Sequence, residues 1–268
     1  MRLPSWLDWW PTCSRPHPRS ATAATPSASR SLGTSTRGAG LVRYSPFLGW
    51  HQVPLAKLAA EATGLDVTVE NDVKSLTVAE QWFGEGIGAS SFALVTVGIG
   101  IGCGLVVGDR LVAGSHGVAG EIGHIPVGGD EALCHCGGKG CVEAVAGTGP
   151  IVEAVRRDMG DESLDIDAAI RIAHAGDRNA LAVFARAGSA IGLAMAAMAN
   201  LFGPERIIVT GDVAGLSAFD LFEDPLRSAF ASQAFGAAAE CEVILRPRPF
   251  EQWARGAAAV AIESMFTL

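Results

Sequence analysis

The sequence predicts an α/β protein, on three observations. Short runs rich in β-branched residues, at 67–69, 92–97 and 206–210, alternate along the chain with stretches of helical period, the pattern of strands joined by helices. Glycine supplies 33 of the 268 residues, above the usual ~7%. It concentrates at 84–108 and 114–149 without a Gly-x-y period, as turns and close backbone approaches require. Hydrophobic residues make up 49%, enough for a chain of this length to bury a core unaided.

Taken in order, structure-like sequence begins near Leu41. Residues 44–50 hold Pro46 and Gly49 and read as a turn region. A short helix is expected over 54–62, ended by Gly64. Residues 67–69 form a brief strand leading into Glu70-Asn71-Asp72. The next helix places Leu76, Ala79, Trp82 and Phe83 on one face. Gly84, Gly86 and Gly88 then break it. A strand over 92–97, a glycine loop from Gly98 to Gly104 and a second strand over 105–107 follow, with Asp109-Arg110 turning into Leu111-Val112. The glycine-rich region 114–149 carries three of the six histidines and three of the six cysteines. Helices are expected over 151–159, 166–175 and 180–202. The last is apolar nearly all round and so should be buried. Pro204 closes it, 206–210 is a buried strand running into Gly211-Asp212, and a final helix occupies roughly 249–265.

Composition excludes several classes. Residues 1–40 carry five arginines against one acid, a balance of +4, while the remainder carries 15 bases and 27 acids, a balance of −12. With Lys57, Lys74 and Lys139 as its only lysines, the body lacks the clustered cations that phosphate backbones need, so no DNA binding by this chain alone is expected. Residues 86–108 are uncharged over 23 positions, long enough to span a bilayer, but seven of them are glycine and strand–turn–strand fits better. Ser, Thr and Pro supply 17 of residues 1–40. That stretch has no apolar h-region, its prolines oppose an amphipathic transit helix, and it reads as disordered.

Four motifs carry chemistry. Cys134, Cys136 and Cys141 lie within eight residues, pinned by Gly137, Gly138 and Gly140. Three convergent thiolates are most of a tetrahedral zinc site, with His116, His124 and His135 open as the fourth ligand. Clustered thiols also suit a reducing compartment, so a cytoplasmic location is expected. Gly120-Glu121-Ile122-Gly123-His124 sets a carboxylate and an imidazole three residues apart, both able to bond hydroxyls. A surface Glu and a satisfied His would look the same. Asp72, at a strand's end, is a candidate general base or the N-cap of the following helix. The alternate glycines Gly98, Gly100, Gly102 and Gly104 permit close phosphate approach or build a tight hairpin.

Together and in this order the four motifs resemble the ROK family, which groups bacterial sugar kinases with sugar-responsive repressors. The most specific element is Cys-x-Cys-Gly-x-x-Gly-Cys-x-Glu at 134–143, preceded by Glu-x-Gly-His at 121–124. The resemblance implies that His124 joins Cys134, Cys136 and Cys141 on a structural zinc ion, and that Asn71, Asp72, Glu121, His124 and Glu143 bind sugar. It makes Asp72 the base of a kinase reaction that would use ATP and Mg²⁺, with Gly98, Gly100 and Gly211 at the nucleotide. The implied fold is actin-like (ribonuclease H-like): two α/β lobes around a cleft, with 41–88 a remnant of the first and 89–268 the second, its last helix packing back on the first. A homodimer is the family expectation.

Departures from that family pattern bear on function. Residues 31–40 lack the acid and the strand of the Asp-x-Gly-Gly-Thr phosphate loop, so the first lobe reads as incomplete. Ile99 stands where a hydroxyl is usual, Phe47 where Asn is usual, and Asp212 in place of a second glycine. The segments 79–86 and 249–262 look closer to the repressor branch. The leading expectation is the sugar-binding portion of a transcriptional regulator without its DNA-binding head. An ATP-dependent hexose kinase is the alternative, and a non-functional truncated or frame-shifted fragment a further one.

Overall fold

The computed structural model describes residues 20–24, 34–36, 40–45, 48–127, 132–211, 218–249 and 251–266. In chain order its elements are β1 (Ser20–Ala24), β2 (Thr34–Thr36), β3 (Leu41–Ser45), β4 (Trp50–Val53), α1 (Leu55–Thr63), β5 (Asp66–Glu70) and α2 (Asp72–Phe83). Next come β6 (Phe92–Val97), β7 (Ile101–Val107), β8 (Arg110–Leu111), a 3₁₀ turn (Ile122–His124), α3 (Val142–Ala146), α4 (Thr148–Met159), α5 (Ile166–His174) and α6 (Arg178–Phe202). The chain then forms β9 (Arg206–Gly211), α7 (Phe219–Gln233), a 3₁₀ stretch (Gly236–Glu240), β10 (Glu242–Leu245) and α8 (Glu251–Phe266).

Five strands make the central sheet, in the order β10–β9–β6–β7–β8. β10, β9 and β6 run parallel, β7 runs antiparallel to β6, and β8 antiparallel to β7. The period of two along each strand divides the core. Ala93, Val95 and Val97 of β6, Ile101, Cys103 and Leu105 of β7, and Ile207 and Val209 of β9 face one layer with α3 to α7. Phe92, Leu94, Val106 and Ile208 face the other, against Leu76 of α2 and Trp253 of α8. A smaller cluster of Val42, Trp50, Val53, Leu55 and Val69 joins the antiparallel β3–β4 hairpin to α1 and β5.

α6 is long and apolar enough to cross a membrane by length and composition, yet it lies in the core with α3, α4, α5 and α7 packed against it. Gly188 and Gly192 let α7 approach closely, since a Cβ at either would strike the Phe222 or Leu226 carbonyl. Asp177 caps α6 by accepting from the N–H groups of Asn179 and Ala180, and Gly203 ends it in the left-handed region.

Three features differ from the sequence expectation. The glycine run 98–104 is not one loop: only 98–100 turns, and Gly102 and Gly104 lie within β7. They are glycine because α2 fills their side-chain space, Val73 at Gly102 and Thr77 at Gly104. Within 1–40, read as unstructured, β1 pairs in parallel with β5 and β2 pairs with β3. Order there comes from pairing with strands outside the segment, the nearby β3 and the distant β5, which composition does not register. Helix α7 and strand β10 form where the sequence analysis assigns no element, and α7 carries Pro225 inside it although proline opposes helix interiors.

Candidate functional site

The Gly120–His124 motif lies along β7. A Cβ on Gly120 would strike the Cys103 carbonyl, and one on Gly123 the Ile101 carbonyl. Both positions must therefore be glycine for the loop to lie so close. Gly120 has φ +94° as well, a conformation that disfavours side chains. Buried Ile122 anchors the turn in the core. Glu121 and His124 flank it, with His124 Nε2 4.0 Å from Glu121 Oε2.

On the opposite face of β7, α2 begins with Asn71 and Asp72. Asn71, not Asp72, is the N-cap: its Oδ1 accepts from Lys74 N–H at 3.1 Å. That frees Asp72 from the capping role. Its Oδ1 accepts the neighbouring Val73 N–H at 2.9 Å. Burial lifts the Asp72 carboxyl to about 7, and the charge of Glu121 adds to the rise. The buried Lys74 side chain reaches across to donate to the carbonyls of Gly117 (2.6 Å) and Ala113 (3.1 Å), tying α2 to the loop ahead of Glu121. Burial also raises Glu121, partly offset by the charge of Lys74.

Cys134, Cys136 and Cys141 converge with His124. Their four ligand atoms all lie within 4.8 Å of one another. Cys136 Sγ is 3.8 Å from Cys141 Sγ, and Cys134 Sγ is 3.5 Å from His124 Nδ1. Zn–S bonds of ~2.3 Å set tetrahedral edges of about 3.8 Å, so the donor set fits a zinc ion. Burial pushes the Cys134 thiol up to about 12, whereas the Gly138 N–H lowers Cys136. A divalent cation here would hold all three as thiolates. Cys141 is the N-cap of α3, so the knuckle runs directly into the helix that carries Glu143.

Gly98 and Gly100 close the β6–β7 turn, with Gly98 N–H donating to Gly100 O at 3.1 Å. Val97 pairs with Gly211 across β6 and β9, which puts Gly98, Gly100 and Gly211 at one end of the sheet. Phe47 and Asp212 lie outside the described residues.

The ROK family pattern matches residues 29–264. This chain belongs to the ROK family. It is 35% identical over 211 residues to a glucokinase of Thermotoga maritima, covering 74% of this chain and 66% of that one. A solved ROK family transcriptional regulator, a homologue of the Escherichia coli MLC protein, superposes with TM-score 0.76 at 26% identity, covering 92% of this chain and 62% of that one. A ROK family glucokinase from Streptomyces griseus, solved with glucose and AMPPNP, gives TM-score 0.75 at 28% identity over 86% of this chain and 79% of that one. The fold is thus the actin-like α/β fold of ROK kinases and repressors. The chain spans between about half and two thirds of the length of its curated ROK relatives.

Two features of the candidate site carry little signal in the sequence. Lys74 is one, signalled only by being one of three lysines, and it is itself buried in the first turn of α2. The link between His135 and Glu143 is the other: His135 Nδ1 lies 2.9 Å from Glu143 Oε1.

Proposed function

We propose that the chain binds a sugar in the space framed by Asn71, Asp72, Glu121, His124 and Glu143, and that it serves as the effector-binding portion of a sugar-responsive regulator. The observation that carries the sugar reading is electrostatic. Burial raises the carboxyls of both Asp72 and Glu143, and the charge of Glu121 adds a smaller rise to each, so three acids from separate segments lie close to one another, able to bond hydroxyls. His124, Cys134, Cys136 and Cys141 would hold zinc, which when bound fixes the knuckle and so orients Glu121 and Glu143. The regulator reading draws on Ile99, which leaves the 98–100 turn without a hydroxyl for phosphate. It draws also on the similarity to the MLC homologue. The test is calorimetric titration of the zinc-loaded chain with glucose, xylose and N-acetylglucosamine. Saturable binding lost in Glu121→Gln supports it, and no heat with any of them rejects it.

A second reading, ATP-dependent hexose kinase, is favoured by Asp72, a buried carboxyl brought to about 7 and thus matched to a general base. It would accept the proton of the attacking hydroxyl while ATP and Mg²⁺ occupied the Gly98, Gly100 and Gly211 end. A coupled assay across hexoses decides: turnover that rises with pH through about 7 and vanishes in Asp72→Asn replaces the regulator reading with this one.

A further inference from the structure

Glu143 is a bridge whose two oxygens have different partners. Oε1 is 2.9 Å from His135 Nδ1, and Oε2 accepts the Ile101 N–H at 3.0 Å. The side chain is only 7% exposed, so both bonds compete little with water. Ile101 is the first residue of β7, immediately after the 98–100 turn. That turn is fastened twice more from the same side. Thr148 N–H donates to Gly98 O at 3.0 Å, and Gly147 sits so close that a Cβ would come within 2.9 Å of Ile99 O. The backbone of the glycine hairpin is therefore bonded at Gly98 and Ile101 and closely flanked at Ile99 by α3 and the α3–α4 junction.

His135 is the outer end of this chain of contacts. It stands between Cys134 and Cys136 in sequence, and its side chain is 37% exposed, so core packing does not account for its pose. What it contacts does: it reaches back to a buried carboxylate eight positions later. An oxygen of Glu143 accepts, so Nδ1 carries the hydrogen.

We infer that His135 is a positioning residue. It holds one oxygen of Glu143 so that the other stays on the Ile101 N–H, joining the cysteine knuckle, the sugar-facing carboxylate and the glycine hairpin into a single unit. Its effect on sugar affinity rests on the sugar reading above; its fastening of the hairpin does not.

The test uses the full zinc-loaded chain with His135→Ala, His135→Asn and Glu143→Gln, plus the His135→Ala/Glu143→Gln pair. Asn offers an N–H near the position of Nδ1 and should rescue. Hydrogen exchange at the Ile101 amide reports the hairpin, sugar titration reports Glu143, and metal analysis reports the knuckle. Expected is about tenfold faster Ile101 exchange and about tenfold weaker sugar binding in His135→Ala, the scale of one charge-assisted bond. Both should return toward wild type in His135→Asn, with little added loss when Glu143→Gln is already present. Unchanged Ile101 exchange in His135→Ala overturns the inference. So does loss of zinc in either His135 variant, because His135 would then act as a metal ligand. If the wild type binds no sugar, the sugar reading fails, and the Ile101 exchange still decides the inference.

Discussion

Arg248 grips Glu80 by both carboxylate oxygens, Nε to Oε1 at 2.6 Å and Nη2 to Oε2 at 2.9 Å. Glu80 lies on the buried face of α2, 2% exposed, and Arg248 stands just ahead of α8. The pair therefore closes α2 onto the segment that delivers the last helix. Its second oxygen also accepts Glu85 N–H at 2.9 Å, fixing the Gly84–Gly88 break.

Removing one partner of so buried a pair leaves an uncompensated charge, a loss of about 3 kcal/mol or more. Arg248→Ala should lower the unfolding free energy obtained from urea melts by about that amount, with a lower midpoint at unchanged slope, whereas Arg248→Met combined with Glu80→Leu should recover most of it. A single Arg248→Ala change with no effect on the midpoint would show that water already satisfies Glu80.

Asp72 predicts how stability varies with pH. Its carboxyl is raised from an ordinary 3.8 to about 7, chiefly by burial. The folded state thus holds this proton more tightly than the unfolded state. The stability it contributes is full below pH 3.8, is lost as pH rises toward about 7 and is gone above that. At ~1.4 kcal/mol per pH unit, the loss is roughly 4 kcal/mol. Asp72→Asn removes the ionisation, so it should be more stable than wild type at pH 8, with the advantage shrinking toward pH 4.5. Urea melts at the two pH values measure it, and a difference independent of pH would contradict the burial of the charged form.

How much of this was legible in sequence depends on how far apart the causes lie. The β6–β7 hairpin could be read because glycine and β-branched residues mark it locally. The placing of Gly102 and Gly104 within β7 could not, because the side chains that exclude a Cβ there, Val73 and Thr77, belong to a helix earlier in the chain. Asn71 and Asp72 are both good N-caps, and only the backbone angles choose between them. The cysteine knuckle and Glu121–His124 stand out because their residues are close in sequence. Glu80 and Arg248 are 168 residues apart, and neither has a local signature. His135 misleads for the opposite reason: beside two cysteines it reads as a ligand, and only its contact with Glu143 separates the roles.

The contact between α2 and α8 sets two small effects against each other at Gly256. Alanine in a helix is favoured over glycine by about 1 kcal/mol. Here, however, the added Cβ would overlap the Ser75 carbonyl and come within 3.0 Å of Leu76 N. Those are backbone atoms of a helix, which cannot rotate away, and overpacking costs about 1–3 kcal/mol. Gly256→Ala should therefore destabilise by about 1 kcal/mol in thermal or urea unfolding. Gly149, in α4 with nothing within 4 Å of its Cβ position, is the control, and Gly149→Ala should be neutral or stabilising. A Gly256→Ala protein as stable as the Gly149→Ala protein would mean that α8 shifts freely on α2.

Metal binding can be separated from packing through Cys136. Cys134 and Cys141 are buried and Cys136 is exposed, so Cys136→Ser removes a ligand while sacrificing little core contact. The purified wild type should carry about one zinc per chain, as a closed Cys₃His set requires, and the variant should carry well under that. Loss of the metal leaves the 132–141 loop held mainly by bonds such as Cys134 N–H to Gly138 O at 2.8 Å and Val127 N–H to Gly140 O at 2.9 Å. Because binding energy at a structural site is folding energy, chelation of the wild type should lower its melting temperature, and the same chelator should leave Cys136→Ser unmoved. Sugar affinity should fall in step with zinc content, since His124 sits on the knuckle through Nδ1 and faces Glu121 through Nε2. Wild-type protein that is metal-free yet fully stable would reject the site.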